Sequence, residues 1–239
     1  MSKVDVSIVI PAYNEEKYIE NCLKSLVEQR TSLNYEVIVV DNNSTDTTVQ
    51  IAEKFKDKFN LKVVNEKKQS RGAARYRGFK EAKGEIILST DADAIVYPEW
   101  IDTLVGGLAN GEIIATTTSC KTLDLGAIND AIFNSVQPTA TYLYKVFFGH
   151  YWLAGFSFAI KKDVYIKSGG FSPNLQALED TDLAQRVKKF GRIKFINKPV
   201  IFSGRRFKQG LLSGILAYIK TFIYGYKLKR EPVFMGNPR

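Results

Sequence analysis

The stretch VDVSIVIPAYNEEKYIENCLKSLVEQR, residues 4–30, decides the reading of this chain. Its first part is an apolar run closed by Pro11, the pattern of a buried strand. Its second part sets Tyr18, Ile19, Cys22, Leu23, Leu26 and Val27 at spacings of three and four, one apolar face of a helix. Moving outward, the same unit recurs. YEVIVVD (35–41) reads as a second strand and 44–59 as a second helix. LKVVNE (61–66) reads as a third strand, and 70–82 as a helix closed by Gly84. EIILSTDAD (85–93) reads as a fourth strand with acids at its end, and a helix begins over 98–107. Strands alternating with helices predict a mostly parallel sheet with right-handed crossovers. Ligands of such sheets lie beyond the carboxyl ends of the strands. That rule gathers residues 11–16, 41–46 and 91–93 at one edge.

The second half is less regular. Residues 131–159 are rich in aromatics, 180–190 read as a helix, and 192–202 as one or two short strands. The basic cluster GRRFKQG (204–210) and an apolar stretch follow. At 239 residues the chain suits one large α/β domain with a short appendage. Cys22 and Cys120 fit no metal spacing and read as buried thiols of a reducing compartment. Charge is uneven: residues 181–239 carry 14 Lys/Arg against 2 Asp/Glu, while the rest is slightly acidic. A basic patch of this kind attracts nucleotides, nucleic acid or anionic lipid. No nucleic-acid motif accompanies it. The run Val6–Ile10 is too short for a signal peptide. The stretch 211–228 is interrupted by Ser213, Gly214, Lys220 and Gly225, and reads as an interfacial helix, or one docked on the catalytic domain or at a dimer contact, rather than a span.

Four clusters carry chemistry. In an extended segment Asp91 and Asp93 share a side, and two adjacent carboxylates call for a cation. A divalent ion, Mn²⁺ or Mg²⁺, held jointly with a diphosphate is the natural partner; a capped turn is the plain alternative. Asp41 ends an apolar strand, where a carboxylate can meet a base N–H or a ribose hydroxyl, while Asp46 and its threonines suit helix capping. Arg71 and Arg75 lie four apart on a helix, with Gly72 and two alanines permitting close packing beneath them. Arg71 faces the donor on this reading, and Arg75 reads equally well as a plain surface residue. Glu179-Asp180-Thr181-Asp182 opens a helix, where acids are favoured by its dipole; one without a basic partner suits a general base.

SIVIPAYNEE, VVDNNSTDTT, RGAARYRG, DAD, GGF and EDTDLAQRVKKFG occur in that order over residues 5–192. Together they resemble the family-2 glycosyltransferases, which implies a GT-A fold: a mixed, mostly parallel Rossmann-like sheet flanked by helices. The expected division is a catalytic domain over 1–205, with a nucleotide-binding half (1–110) and an acceptor-binding half (111–205). A membrane-associating segment, 206–239, would follow. The resemblance implies that Pro11, Tyr13 and Glu15 form the first nucleotide-contacting loop and that Asp41 binds the base. It implies Asp91 at the ribose, Asp93 on the metal, Asp180 as catalytic base and Glu179 beside it. It further implies an inverting single displacement from a UDP- or GDP-sugar. Asn42, where many relatives have a second acid, and Ala94 after the triplet depart from the pattern.

On the acceptor side, the aromatic segment 142–158 reads mostly as core, with Trp152 lining the pocket beside Gly155. His150 reads as core or acceptor-side rather than a metal ligand. Arg205 and Arg206 could grip a donor or lipid phosphate in fork geometry, and read equally well as a solvated basic turn. The basic, apolar C-terminal quarter points to a peripheral site on the cytoplasmic face of an anionic membrane, and to a lipid-linked acceptor such as a polyprenyl phosphate. A dinucleotide dehydrogenase is excluded by the missing G-x-G-x-x-G after the first strand. A nucleotidyltransferase is disfavoured because Pro11-Ala12-Tyr13-Asn14 stands where a glycine-rich basic loop is expected. The rival of a different class is a non-catalytic nucleotide-sugar or lipid-binding module.

Overall fold

The computed structural model describes residues 3–207 and 210–222. The chain runs β1 (Val6–Ala12), α1 (Ile19–Val27), β2 (Tyr35–Asp41), α2 (Thr48–Glu53), β3 (Leu61–Asn65), α3 (Arg71–Glu81) and β4 (Ile86–Thr90). There follow β5 (Ala94–Ile95), α4 (Trp100–Gly106), β6 (Ile113–Lys121), α5 (Ala127–Phe148), β7 (Ser157–Lys161), α6 (Lys162–Lys167) and α7 (Glu179–Val187). The last elements are β8 (Arg192–Phe202), a 3-10 turn (Gly204–Phe207) and α8 (Leu211–Phe222).

One eight-stranded sheet has the order β3-β2-β1-β4-β7-β6-β8-β5. The pairs β1–β2, β1–β4, β2–β3 and β6–β8 are parallel, whereas β4–β7, β6–β7 and β5–β8 are antiparallel. The sheet is therefore mixed, with its β3-β2-β1-β4 half parallel. Alternation along the strands feeds two cores. Ile8, Ile10, Val37, Val39 and Leu88 pack with α1 and α4 on one face, around Leu23, Leu26 and the fully buried Trp100. Val9, Ile38, Val40 and Ile87 pack on the other face with Phe79 of α3 and Leu183 of α7. Both cysteines are buried and free.

Several expectations change. The helix expected over 44–59 is only Thr48–Glu53. Beyond it Lys54, Phe55 and Lys56 donate to carbonyls three residues back, which tightens the chain into turns. Asp91-Ala92-Asp93 is not extended: Ala94 N–H donates to the Asp91 carbonyl at 3.1 Å, closing a turn. Residues 192–202, expected as one or two short strands, form one long strand of 11 residues, and register shifts accommodate it against β6. The aromatic segment contributes a 22-residue helix, α5, in which Thr141 and Tyr144 are buried while Val146 and Phe147 are exposed. A C-terminal helix, α8, is present over Leu211–Phe222; residues 223–239, onto which the expected membrane-associating segment continues, lie outside the described residues. No described helix is long and apolar enough to cross a membrane.

Candidate active site

The carboxyl ends of β1, β2 and β4 open at one edge, as the strand reading requires. Ala12 sits beside Asp41 in the β1–β2 register, and the Asp91 turn follows β4 directly. Asp41 is buried; its two oxygens accept from Ser44 N–H at 3.0 Å and Asn65 Nδ2 at 3.1 Å, which fixes its orientation. Asn42, standing where relatives often carry an acid, instead donates to the carbonyls of Glu66 and Lys68, both at 2.8 Å. Asp46 does what capping chemistry asks, accepting from Thr48 N–H at 3.0 Å and Glu16 N–H at 3.2 Å. Pro11 lies in β1, with the half-buried Tyr13 just beyond its end.

Arg75, read from sequence as a plausible surface residue, is the buried centre of the site, 3 % exposed. Its Nε donates to Glu179 Oε1 at 3.1 Å, its Nη2 to Asp91 Oδ1 at 2.7 Å, and its Nη1 to Ser89 Oγ. One guanidinium thus ties the DAD turn to the first turn of α7, whose Glu179 lies 104 residues beyond Arg75 in sequence. Small residues make this possible. A Cβ on Gly72 would stand 2.2 Å from the Ser172 carbonyl oxygen, so only glycine lets α3 approach the loop that leads into α7. Ser70 caps α3, accepting from Ala73 N–H at 2.9 Å. Arg71, on the next turn from Arg75, lies close enough to help hold the Asp91 carboxyl down. Burial pushes the Asp91 pKa up, but Arg75, Arg206 and Arg71 outweigh it, so the carboxyl stays below its ordinary range.

Glu179 and Asp180 follow Leu178, whose φ of 60° is left-handed. A branched side chain there costs about 1–2 kcal/mol, an expense that turns the chain sharply into α7. The two acids then diverge. Glu179 takes the Arg75 ion pair and so is not the acid without a basic partner. Asp180 accepts from Gly155 N–H at 3.1 Å and from Thr181 N–H at 2.7 Å. Burial, then the charge of Glu179, raises its pKa to about 6, against the pull of Arg75 and the two N–H groups. Gly155 is a glycine for contact reasons: a Cβ there would stand 2.4 Å from Arg75 Nη2.

The other acids meet a different arginine. Short β5 pairs with the end of β8, Ala94 against Phe202, and Ser203 N–H donates to the Asp93 carbonyl at 3.2 Å. This lays the 3-10 turn against the DAD turn. Arg205 grips Glu15 with both fork nitrogens, at 2.8 and 2.6 Å, and its Nη2 stands 2.8 Å from Asp93 Oδ2. Its guanidinium lies 4.7 Å from the centre of the Tyr18 ring. The Asp93 contact is an ion pair without an aligned hydrogen bond, so this buried oxygen keeps unused acceptor capacity. Burial raises the Asp93 pKa to about 6 although Arg205 opposes it. Arg206 lies near both Asp91 and Asp93. The sequence-derived readings of Glu15 as a nucleotide contact and Arg205 as a phosphate ligand therefore meet a pair that holds itself.

On the acceptor side, Trp152 packs edge-on against Tyr144 at 5.0 Å between ring centres, three residues before Gly155. His150 is buried, with Nδ1 2.8 Å from the Tyr151 carbonyl and Nε2 2.8 Å from Gln185 Nε2, a packed histidine as expected. Among the described residues no group of three or more His, Cys, Asp or Glu forms a cage for a metal. A Mg²⁺-type ion held by one or two carboxylates and substrate phosphates needs no such cage, and the orphaned Asp93 oxygen is the donor that fits it. Sequence reasoning missed the roles of Arg75, Gly155 N–H and Ser89. The signal for Arg75 was present in the glycine and alanines beside it.

The family model for glycosyl transferase family 2 matches residues 7–168. The dolichol-phosphate mannosyltransferase of Pyrococcus furiosus is 38% identical over 111 residues, 46% of this chain and 32% of that protein. The poly(ribitol-phosphate) β-N-acetylglucosaminyltransferase TarS of Staphylococcus aureus is 33% identical over 140 residues, 57% of this chain and 24% of that one. The chain thus spans about a quarter to a third of the length of these relatives. Among solved structures, S. aureus TarS superposes with a TM-score of 0.66 at 22% identity, covering 92% of this chain and 40% of that one. The mannosyltransferase PcManGT from Pyrobaculum calidifontis, in complex with GDP-Man and Mn²⁺, superposes at 0.62 with 24% identity, covering 92% of this chain and 65% of that one. At such identities these likenesses bear on the fold, and they agree with the GT-A architecture that the motifs implied. With the ordered motifs on one sheet edge and a family model covering most of the chain, the conclusion is that this chain belongs to glycosyl transferase family 2.

Proposed function

We propose that the chain transfers a hexose-type sugar from a UDP- or GDP-sugar to a phosphate-bearing acceptor, by single displacement with inversion. The observation that carries this reading is Asp180. It is a half-buried carboxyl whose pKa is raised to about 6, held by the Gly155 N–H at 3.1 Å, and its neighbour Glu179 is tied through Arg75 to the DAD turn. Such a group is ionised at neutral pH yet basic enough to take a proton.

Pro11, Tyr13 and Asp41 line the strand ends where a nucleoside would sit, with Asp41 oriented for a base N–H. Asp91, held ionised by Arg75, faces the ribose side. Asp93 would hold a Mn²⁺ or Mg²⁺ ion, which supplies charge neutralisation at the departing diphosphate. Asp180 accepts the proton of the acceptor hydroxyl while the hydroxyl oxygen bonds to the anomeric carbon. The bond from that carbon to the diphosphate oxygen breaks on the opposite face, and Arg71 and Arg206 add positive charge near the leaving group. Arg75 has no contact with the acceptor in this scheme; it positions Glu179 and, through Gly155, the base. If the acceptor is already an ionised phosphate, Asp180 orients rather than deprotonates it.

The acceptor class rests on two supports. The P. furiosus and S. aureus relatives carry dolichol phosphate and poly(ribitol-phosphate) in their names. The basic residues of 181–239 favour an anionic surface, placing the protein peripherally on a membrane through 206–239. On this reading residues 1–110 hold the donor and 111–205 the acceptor, with Trp152 at its rim. The test incubates the protein with Mn²⁺ or Mg²⁺, a panel of UDP- and GDP-sugars and a lipid extract, and reads nucleoside diphosphate release. Release requiring one donor, the metal and the extract supports the proposal. Nucleotide binding without release for every donor favours the binding module.

A further inference from the structure

Arg205 sits where the chemistry asks for a metal. Glu15 and Asp93 are buried carboxylates, and both pair with the one guanidinium of Arg205. It is well tethered. Both nitrogens of its fork bond Glu15 at 2.6–2.8 Å, the strong bidentate arrangement. Tyr18 lies beneath it. The turn that carries it is pinned by Asp124, whose carboxylate accepts from Gly204 N–H at 2.7 Å and Ser203 Oγ at 3.2 Å.

A hard divalent ion approaches a carboxylate oxygen to about 2.0–2.2 Å. Arg205 Nη2 already stands 2.8 Å from Asp93 Oδ2, a buried oxygen with no aligned hydrogen bond. A dication and a guanidinium cannot share that oxygen without strong repulsion. For an ion to take Oδ2, Arg205 must first withdraw, and withdrawal strips a buried cation from Glu15. A diphosphate offers the compensation, because it presents oxygens to the same fork.

We propose that Arg205 is a built-in counter-cation that keeps the divalent-ion seat on Asp93 closed until a nucleoside diphosphate draws it away. This rests on the proposed metal role of Asp93. It makes Mn²⁺ binding conditional on the nucleotide, and by linkage makes the nucleotide bind more tightly when Mn²⁺ is present. Its purpose is plain in charge terms: a diphosphate-free site stays neutralised without holding a metal.

The experiment titrates Mn²⁺ into the protein at pH 8 with no nucleotide, reading free Mn²⁺ by electron paramagnetic resonance, and repeats it with UDP and with GDP. Arg205→Met is expected to bind Mn²⁺ without nucleotide at least about tenfold more tightly than the wild type, since a charge next to the seat is gone. Arg205→Lys, which keeps the charge, is expected to stay within about threefold of the wild type. A merely structural role for Arg205 would loosen the site and weaken Mn²⁺ binding. Arg205→Met binding Mn²⁺ no more tightly than the wild type overturns the proposal. If circular dichroism shows that variant misfolded, Tyr18→Leu takes its place. It loosens the seat of the guanidinium and should tighten nucleotide-free Mn²⁺ binding by a smaller factor, and no tightening there also overturns the idea. Asp93→Asn separates the two readings: if it still binds Mn²⁺ with nucleotide present, Asp93 is not the metal ligand, whatever Arg205 does.

Discussion

Gly155→Ala should damage this protein out of proportion to one methyl group. The added Cβ would stand 2.4 Å from Arg75 Nη2, 3.1 Å from its Cζ and 3.4 Å from Asp180 Oδ2. Gly155 is not among the left-handed residues, so the whole effect is contact. Arg75 cannot swing aside: its side chain is 4 % exposed and its nitrogens are committed to Glu179, Asp91 and Ser89. Either the ion pairs stretch or the 153–156 loop retreats and takes its N–H away from Asp180. Overpacking of this kind costs about 1–3 kcal/mol, or roughly 4–8 °C in Tm at about 2 kcal/mol for a domain of this size. A base displaced by about 1 Å costs about a hundredfold in rate. The assay pairs thermal denaturation with nucleoside diphosphate release. Gly106→Ala is the control, because its Cβ would meet nothing within 4 Å; in a helix that change should stabilise by about 0.5–1 kcal/mol. Gly155→Ala with wild-type Tm and wild-type turnover would refute the claim that Arg75 is clamped against this backbone.

Other consequences are equally direct. Arg75→Met leaves Glu179 buried without its ion pair and Asp91 without its strongest one, and should cost about 3–5 kcal/mol in urea unfolding, against under about 1 kcal/mol for the more exposed Arg71→Ala. Asp180 works ionised, so turnover should fall as pH drops through about 6 and be flat above it. Glu179→Gln removes the neighbouring charge that helps hold that pKa up, so the acid limb should move to lower pH in a pH–rate profile. Leu178→Gly relieves the left-handed strain and should raise stability by up to about 1 kcal/mol, less any loss of side-chain packing, as read by Tm.

Much of this was legible in the sequence because it is local. Apolar alternation placed β1 to β4, and the strand-end rule brought Asp41, Asp91 and residues 11–16 to one edge. Spacing could not show that the DAD triplet is a turn, because its geometry depends on β5 pairing with β8, more than a hundred residues later. Nor could it show that Arg205 meets Glu15, a contact across 190 residues with no shared pattern. The burial of Arg75 was hidden for a related reason: an arginine on a helix is usually solvated, and its burial follows from Gly72, Gly155 and the acids of α7 converging in space. The helix over 44–59 was overread because periodicity continues through turns whose bonds have already shortened.

The central claim is that Asp180 is the base of a nucleotide-sugar transferase, and one comparison tests it most directly. Wild type and Asp180→Asn would be assayed with the donor identified in the screen, measuring donor binding by calorimetry and transfer by product formation. The account predicts donor affinity within about threefold and a transfer rate lower by at least about a hundredfold. Equal transfer by the two proteins, with a hydroxyl acceptor, would contradict it.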